Sequence, residues 1–145
     1  MDFFANLGMA FGIALEPMNL LLCFVGCFVG TFVGVLPGLG PAASISLLLP
    51  ITFKLSPVQA IIMLGGLYYG TMYGGSTTSI LINVPGEAAS VVTCLDGYQM
   101  ALKGRAGAAL SVSAIGSWIA GTGSIIILMC FAPALKYSSG LSIRG

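Results

Sequence analysis

Residues 30–53 read GTFVGVLPGLGPAASISLLLPITF, an apolar run that is interrupted at Gly34-Val35-Leu36-Pro37-Gly38-Leu39-Gly40-Pro41 and resumes without acquiring a charge. Pro37 has no amide hydrogen and its ring collides with the carbonyl of Val33, while Gly38 and Gly40 accept positive φ, so one helix is expected to end here. Pro41 suits the first turn of a new helix, with Gly40 in the capping position. The amides of Ala42, Ala43 and Ser44 then lack intrahelical partners. With the positive end of the helix dipole they make a seat for an anionic group such as a carboxylate. Ser44 and Ser46 add hydroxyls, and the resumed segment runs to Pro50, about half a bilayer at ~1.5 Å per residue.

Working outward, every charge lies outside three long stretches, 17–53, 55–86 and 106–135. A bilayer core of ~30 Å takes about 20 apolar residues to cross, so each stretch is long enough to span it. Backbone that leaves the helix at membrane depth persists only where protein buries it or where it lines a cavity, which is how transporters build substrate sites. Composition agrees with a membrane class: 57% of residues are hydrophobic and 6% charged, against roughly 25% charged in soluble domains. The net charge of +1 offers nothing to nucleic acid or to an acidic partner surface. The expected partner is lipid.

A second interruption is read at Gly70-Thr71-Met72-Tyr73-Gly74-Gly75-Ser76-Thr77-Thr78-Ser79. Gly74, Gly75, Ser76, Thr77 and Thr78 at a helix start supply donors to a carboxylate, Ser79 extends the hydroxyl run, and Asn83 adds an amide. The same oxygens suit a sodium ion; Ser46, Thr78 and Glu87 are the coupling-ion candidates. An offset of 35 places Gly40 on Gly75, Ser44 on Ser79, Ile45 on Ile80 and Pro50 on Pro85, a possible internal repeat of capped half-helices. The plainer reading of each hydroxyl is a bond to the preceding turn of its own helix.

Around these breaks the chain is expected to form one all-α membrane domain over 1–145: an interfacial helix at 1–16, broken spans at 17–53 and 55–86, a polar loop or short helix at 87–105 and a transmembrane span at 106–135. Asp96 is read as capping the short helix and Gly104 as ending it. Gly26, Gly30, Gly34 and Gly38 recur every four residues. Each step drifts only ~40° around the helix, leaving one smooth face for close helix contact. Cys23, Cys27, Cys94 and Cys130 show no metal or disulfide spacing and read as small apolar packing residues. The start of the chain lacks the basic n-region of a cleaved signal peptide. Basic residues flank the last span on both sides, so charge does not orient it.

The stretches GTFVGVLPGLGPAASISLLLPITF at 30–53 and GLYYGTMYGGSTTSILINVPGEAASVVTCLDGYQMALKGRAG at 66–107 resemble the large membrane subunit of the tripartite tricarboxylate transporters, the TctA-like permeases. The likeness runs from about residue 16 to 135. It implies a multi-pass permease of the bacterial inner membrane that works with a small membrane subunit and a periplasmic solute-binding protein. Such permeases import tricarboxylates or related carboxylates on a sodium or proton gradient, with no cofactor. Permeases of this family are longer and carry a second PGxGP-like region, so the chain is expected to be an N-terminal portion. The competing reading is a non-transporting assembly protein that packs through its glycine faces. An intramembrane serine hydrolase is disfavoured, because the chain has no histidine and no lysine in either break to activate a serine.

Overall fold

A computed structural model describes residues 3–138, with side chains described over 7–131. All the regular structure among the described residues is helical: α1 (Phe3–Ala14), α2 (Pro17–Gly34), α3 (Pro41–Thr52), α4 (Pro57–Ile82), a 3-10 turn (Ala88–Ser90), α5 (Val91–Leu102) and α6 (Ala106–Ser138). The chain divides into two compact units, Met1–Leu110 and Ser111–Gly145. The protein is an all-α membrane protein. Two of its helical stretches, Pro17–Gly34 and Ala106–Phe131, are long and apolar enough to cross a membrane. On α6, Val112, Ile115, Trp118, Ile119 and Ile125 to Leu128 are all exposed.

Proline and capping chemistry set the helix starts. α2, α3 and α4 each have proline in the first turn, where its missing amide costs no bond. α4 adds a reciprocal cap: the Gln59 amide donates to Ser56 Oγ (3.4 Å) and the Ser56 amide donates to Gln59 Oε1 (3.2 Å). Ser56→Ala is expected to lower stability by ~1 kcal/mol, read by thermal unfolding in detergent, because the Gln59 amide loses its acceptor. At the elbow before α2, Asn19 is buried and donates from Nδ2 to the Ile13 carbonyl (2.6 Å) and to Glu16 Oε2 (3.2 Å), tying α1 to α2.

The first unit is organised by two parallel helices in very close contact. A Cβ placed on Gly26, Gly30 or Gly34 of α2 would overlap the carbonyl oxygens of Met63, Leu67 and Thr71 respectively. On α4, Gly66, Gly70 and Gly74 stand in the same relation to the carbonyls of Cys23, Cys27 and Thr31. Both sets advance together along the sequence, so α2 and α4 run in the same direction, each glycine row seated on the other backbone. Lipid tails are as apolar as the side chains, so this intimacy is the source of helix association in a membrane. Cys23 and Cys27 are free thiols whose side chains are exposed; their contribution to the contact is the backbone carbonyl.

Two parallel helices need a return between them, and α3 supplies it. Its 12 residues cover ~18 Å. The interruption expected after Gly34 is present: α2 ends at Gly34, α3 begins at Pro41, and Gly38 takes the left-handed conformation with φ +86°. Gly40 does not take positive φ. It caps α3 in extended conformation at φ −66°, so its glycine is not required by backbone geometry.

The second interruption is absent where it was expected. α4 continues unbroken from Pro57 to Ile82, through Gly74, Gly75 and the four hydroxyl residues. Gly70 and Gly74 serve close packing rather than a turn, and the hydroxyls bond back to the helix that carries them, so their protons are satisfied without a break. The irregular backbone comes later, at Asn83-Val84-Pro85-Gly86. Asn83 ends α4 in the left-handed region at φ 57°, and Pro85 disfavours helical geometry for Val84. The 35-residue repeat fails for the same reason: Gly40 caps a helix, whereas Gly75 lies inside one.

The polar segment also differs from expectation at its start. α5 begins at Val91 after the 3-10 turn, so Asp96 lies mid-helix and exposed instead of capping it. Its end is as read: Gly104 has φ +74°, the Gly104 amide donates to Ala101 (2.9 Å) and the Arg105 amide to Met100 (3.0 Å). That bond pair is the Schellman closure.

Candidate functional site

After Asn83 the chain folds back along α4 until Gly86 lies against Gly75. A Cβ on Gly86 would overlap the Gly75 Cα and stand 3.2 Å from the Gly34 carbonyl oxygen. The Gly38 amide donates to the Gly86 carbonyl at 3.3 Å. The end of α2, the middle of α4, the loop before α3 and residues 84–87 therefore meet in one junction made almost wholly of backbone. Residue types that leave the backbone bare are what permit it.

The N-terminus of α3 opens beside this junction. Gly40 makes no side-chain cap, Pro41 has no amide hydrogen, and the first helical bond is from the Ser44 amide to the Gly40 carbonyl at 3.2 Å. Among the described residues, the amides of Gly40, Ala42 and Ala43 donate to no acceptor. At α4 the equivalents of the Gly40 and Ala43 amides, those of Ser56 and Gln59, are closed by the reciprocal cap. Ser44, read from the sequence as a free donor, is fully buried and bonds back to Gly40 through both its amide and its Oγ. Ser46 is exposed and bonds back to Ala42 at 2.9 Å.

The hydroxyl run lies on the neighbouring helix with its protons already committed. Ser76 Oγ donates to the Met72 carbonyl (3.1 Å), Thr77 Oγ1 to Tyr73 (2.9 Å), and Thr78 Oγ1 and Ser79 Oγ both to Gly75 (2.9 and 2.8 Å). Thr71 adds a bond to Leu67 at 2.8 Å. Thr78 and Ser79 are buried, while Ser76 and Thr77 are half-buried. A hydroxyl that gives its proton to its own helix keeps its lone pairs, so this cluster offers acceptors rather than donors. Asn83, read as a further donor, is exposed at the end of α4 and acts there as the left-handed cap.

Glu87 is brought to the α3 side of the junction. Its Cβ lies 3.9 Å from where a Cβ on Gly40 would stand. The residue is half-buried, and burial pushes its carboxyl up from the ordinary glutamate range. Ser90 clasps its backbone: the Glu87 amide donates to Ser90 Oγ at 3.2 Å and Ser90 Oγ donates to the Glu87 carbonyl at 2.9 Å. Sequence reasoning did not single out Ser90 or Gly86. The signal for Gly86 was the Pro-Gly step after Asn83, and for Ser90 its position three residues beyond Glu87. Gly66, Gly70 and Gly74 repeat the spacing of Gly26, Gly30 and Gly34, a match that reading 70–79 as a break concealed. Among the described residues, no group of three or more His, Cys, Asp or Glu is placed to hold a metal ion.

A protein of Agrobacterium vitis described as an uncharacterized 52.8 kDa protein in the TAR-I ttuC' 3'region is 58% identical over 135 residues. That match covers 93% of this chain and 27% of the relative, so the chain spans about a quarter of that protein's length. No solved structure matches the chain. The model of the tripartite tricarboxylate transporter TctA family matches residues 20–140, which include both glycine rows, the interruption, the hydroxyl run and the Glu87 loop, and the chain therefore belongs to that family.

Proposed function

We propose that this chain forms part of the permease of a tripartite secondary transporter that imports tricarboxylates or related carboxylates on a sodium or proton gradient. The observation that carries the reading is the interruption between α2 and α3. Within an apolar helical unit it leaves the amides of Gly40, Ala42 and Ala43 unpaired at a helix N-terminus. Unpaired amides and the helix dipole together favour an anionic group. The acceptor oxygens of Ser76, Thr77, Thr78 and Ser79 on α4 then suit a coupling cation better than the substrate anion, as does Glu87. Ser46 bonds back on an exposed face of α3, which makes it the weaker coupling-ion candidate. Gly74 and Gly75 act in this reading by admitting the neighbouring backbone. Transport itself makes or breaks no covalent bond and calls for no cofactor.

The proposed setting is the bacterial inner membrane, with a small membrane subunit and a periplasmic solute-binding protein as partners. Family membership supports it. The competing scaffold reading loses the support of the glycine rows of α2 and α4, which are occupied by each other.

The test is labelled-citrate uptake by cells producing the complete transporter. With Ser76→Ala combined with Thr78→Ala, uptake is expected to fall roughly tenfold, as for the loss of two contacts of ~1 kcal/mol each with some compensation, while membrane insertion stays normal. Uptake at the wild-type level over a wide range of citrate concentrations would reduce the cluster to helix packing.

A further inference from the structure

Asn19 is 2% exposed, and its Oδ1 is buried with no hydrogen-bond partner among the described residues. An amide oxygen in that position has lost its water and gained nothing, which points to a ligand. The elbow between α1 and α2 is rich in further acceptors. Pro17 has no amide hydrogen to close the last turn of α1, and the Ile13 carbonyl accepts instead from the Glu16 amide (3.2 Å) and from Asn19 Nδ2 (2.6 Å). The carbonyls of Ala14 and Leu15 accept no hydrogen bond among the described residues. Glu16 adds an exposed carboxylate, whose Oε2 accepts from Asn19 Nδ2 at 3.2 Å. No basic residue lies in the last turn of α1, and no cation among the described residues is in ion-pair contact with Glu16. The elbow before α4 gives the contrast. α2 and α4 meet reciprocally at an offset of 40: Gly26 faces the Met63 carbonyl and Gly66 the Cys23 carbonyl, and the pairs Gly30 with Gly70 and Gly34 with Gly74 repeat this. The same offset carries Glu16-Pro17-Met18-Asn19 onto Ser56-Pro57-Val58-Gln59. There the two polar side chains close a reciprocal cap, whereas at the first elbow a carboxylate and an orphaned oxygen stand in their places.

We propose that the α1–α2 elbow binds a sodium ion through Asn19 Oδ1, the Glu16 carboxylate and the Ile13 carbonyl at the negative end of α1. The terminal torsion of asparagine is two-fold, and a half-turn exchanges the ends of the amide. Oδ1 then stands where Nδ2 does now, beside the Ile13 and Glu16 oxygens. Three acceptors so close repel one another until a cation lies among them, so the amide orientation follows the ion. Carbonyls at the C-terminal ends of short membrane helices are a recurring sodium ligand, and the helix dipole acts in the same sense. One carboxylate among neutral oxygens matches a single positive charge, whereas calcium sites gather several carboxylates and magnesium keeps its waters. The exposed Glu16 opens the elbow to ions from water. The inference rests on the permease reading only in making this sodium a coupling ion; its binding does not depend on it.

The experiment follows thermal unfolding of the complete transporter, purified in detergent, in sodium chloride or in choline chloride of equal ionic strength. The proteins are wild type, Glu16→Gln, Asn19→Asp and, as a control at the second elbow, Ser56→Ala. Wild type is expected to melt several degrees higher in sodium, as it must if the ion binds the folded protein alone. The sodium concentration giving half of that shift is expected to rise at least about tenfold in Glu16→Gln and to stay at the wild-type value in Ser56→Ala. Asn19→Asp separates a sodium ligand from a mere tie between helices. It keeps an oxygen, loses the Nδ2 donor and adds a second carboxylate, so it melts early in choline and sodium rescues it. A wild-type midpoint indifferent to sodium, an unchanged half-saturation in Glu16→Gln, or an Asn19→Asp protein that sodium does not rescue would overturn the proposal. Citrate uptake by a transporter that fails these tests would leave the permease reading standing without this site. A transporter that passes them but takes up no di- or tricarboxylate would keep the site and sink the permease reading.

Discussion

Gly66→Ala is expected to lower the stability of the purified protein in detergent by ~2 kcal/mol, while Gly65→Ala, one residue earlier on the same helix, is expected to leave it unchanged or raise it. Alanine in a helix interior is worth up to ~1 kcal/mol over glycine, and that gain is common to both sites. At Gly65 the new methyl meets nothing within 4 Å. At Gly66 it lies 2.5 Å from the Cys23 carbonyl oxygen and 3.2 Å from the Cys27 amide nitrogen. Those atoms belong to a helix backbone and cannot turn aside as a side chain would, so α2 and α4 must separate along their shared length. Overpacking costs typically ~1–3 kcal/mol and sometimes more. A rigid backbone neighbour puts this site at the upper end, enough to exceed the gain in helix propensity. Gly70→Ala should behave as Gly66→Ala does. Equal stability of the Gly65 and Gly66 variants would mean that the two helices are not in backbone contact.

On the proposed permease reading, Gly86→Ala is expected to lower carboxylate uptake by at least about tenfold, and so by more than ~1.4 kcal/mol of transition-state or binding free energy, with the protein still inserted in the membrane. The added methyl overlaps the Gly75 Cα and crowds the Gly34 carbonyl, so residues 84–87 lift from α4. That motion breaks the Gly38–Gly86 bond and withdraws Glu87 from Gly40. Gly104→Ala is the control. It carries the φ penalty of a left-handed glycine at +74° but meets open space, so it costs ~1 kcal/mol of stability and leaves uptake near normal. The measurement is initial uptake rate against membrane protein content. A Gly86→Ala protein that transports normally would detach the junction from function.

Within the junction, the first interruption was legible because its chemistry is local. Pro37, Gly38 and Pro41 each restrict or free their own backbone, and no distant contact reverses that. The open amides after Gly40 follow from the same few residues. The run at 70–79 was misread because glycine gives two signals with one residue type: freedom of φ and permission for close approach. Serine and threonine share the ambiguity, since a hydroxyl serves a ligand or the carbonyl four residues back. Here the nearer acceptor holds the proton in every member of the cluster from Ser76 to Ser79.

By itself, then, the sequence determined the helical membrane class, the position of the α2–α3 interruption and the end of α5 at Gly104, all of which rest on composition or on the conformational limits of single residues. The tertiary structure decided the rest. That α2 and α4 run parallel with interlocked glycine rows, that residues 84–87 return to wedge Gly86 between Gly75 and Gly34, and that Glu87 stands beside Gly40 are facts about residues distant in the sequence, from 11 apart for Gly75 and Gly86 to 52 apart for Gly34 and Gly86. They depend on which backbone surfaces are bare at the same depth. No local preference encodes that depth, because it is fixed only when the second helix docks on the first.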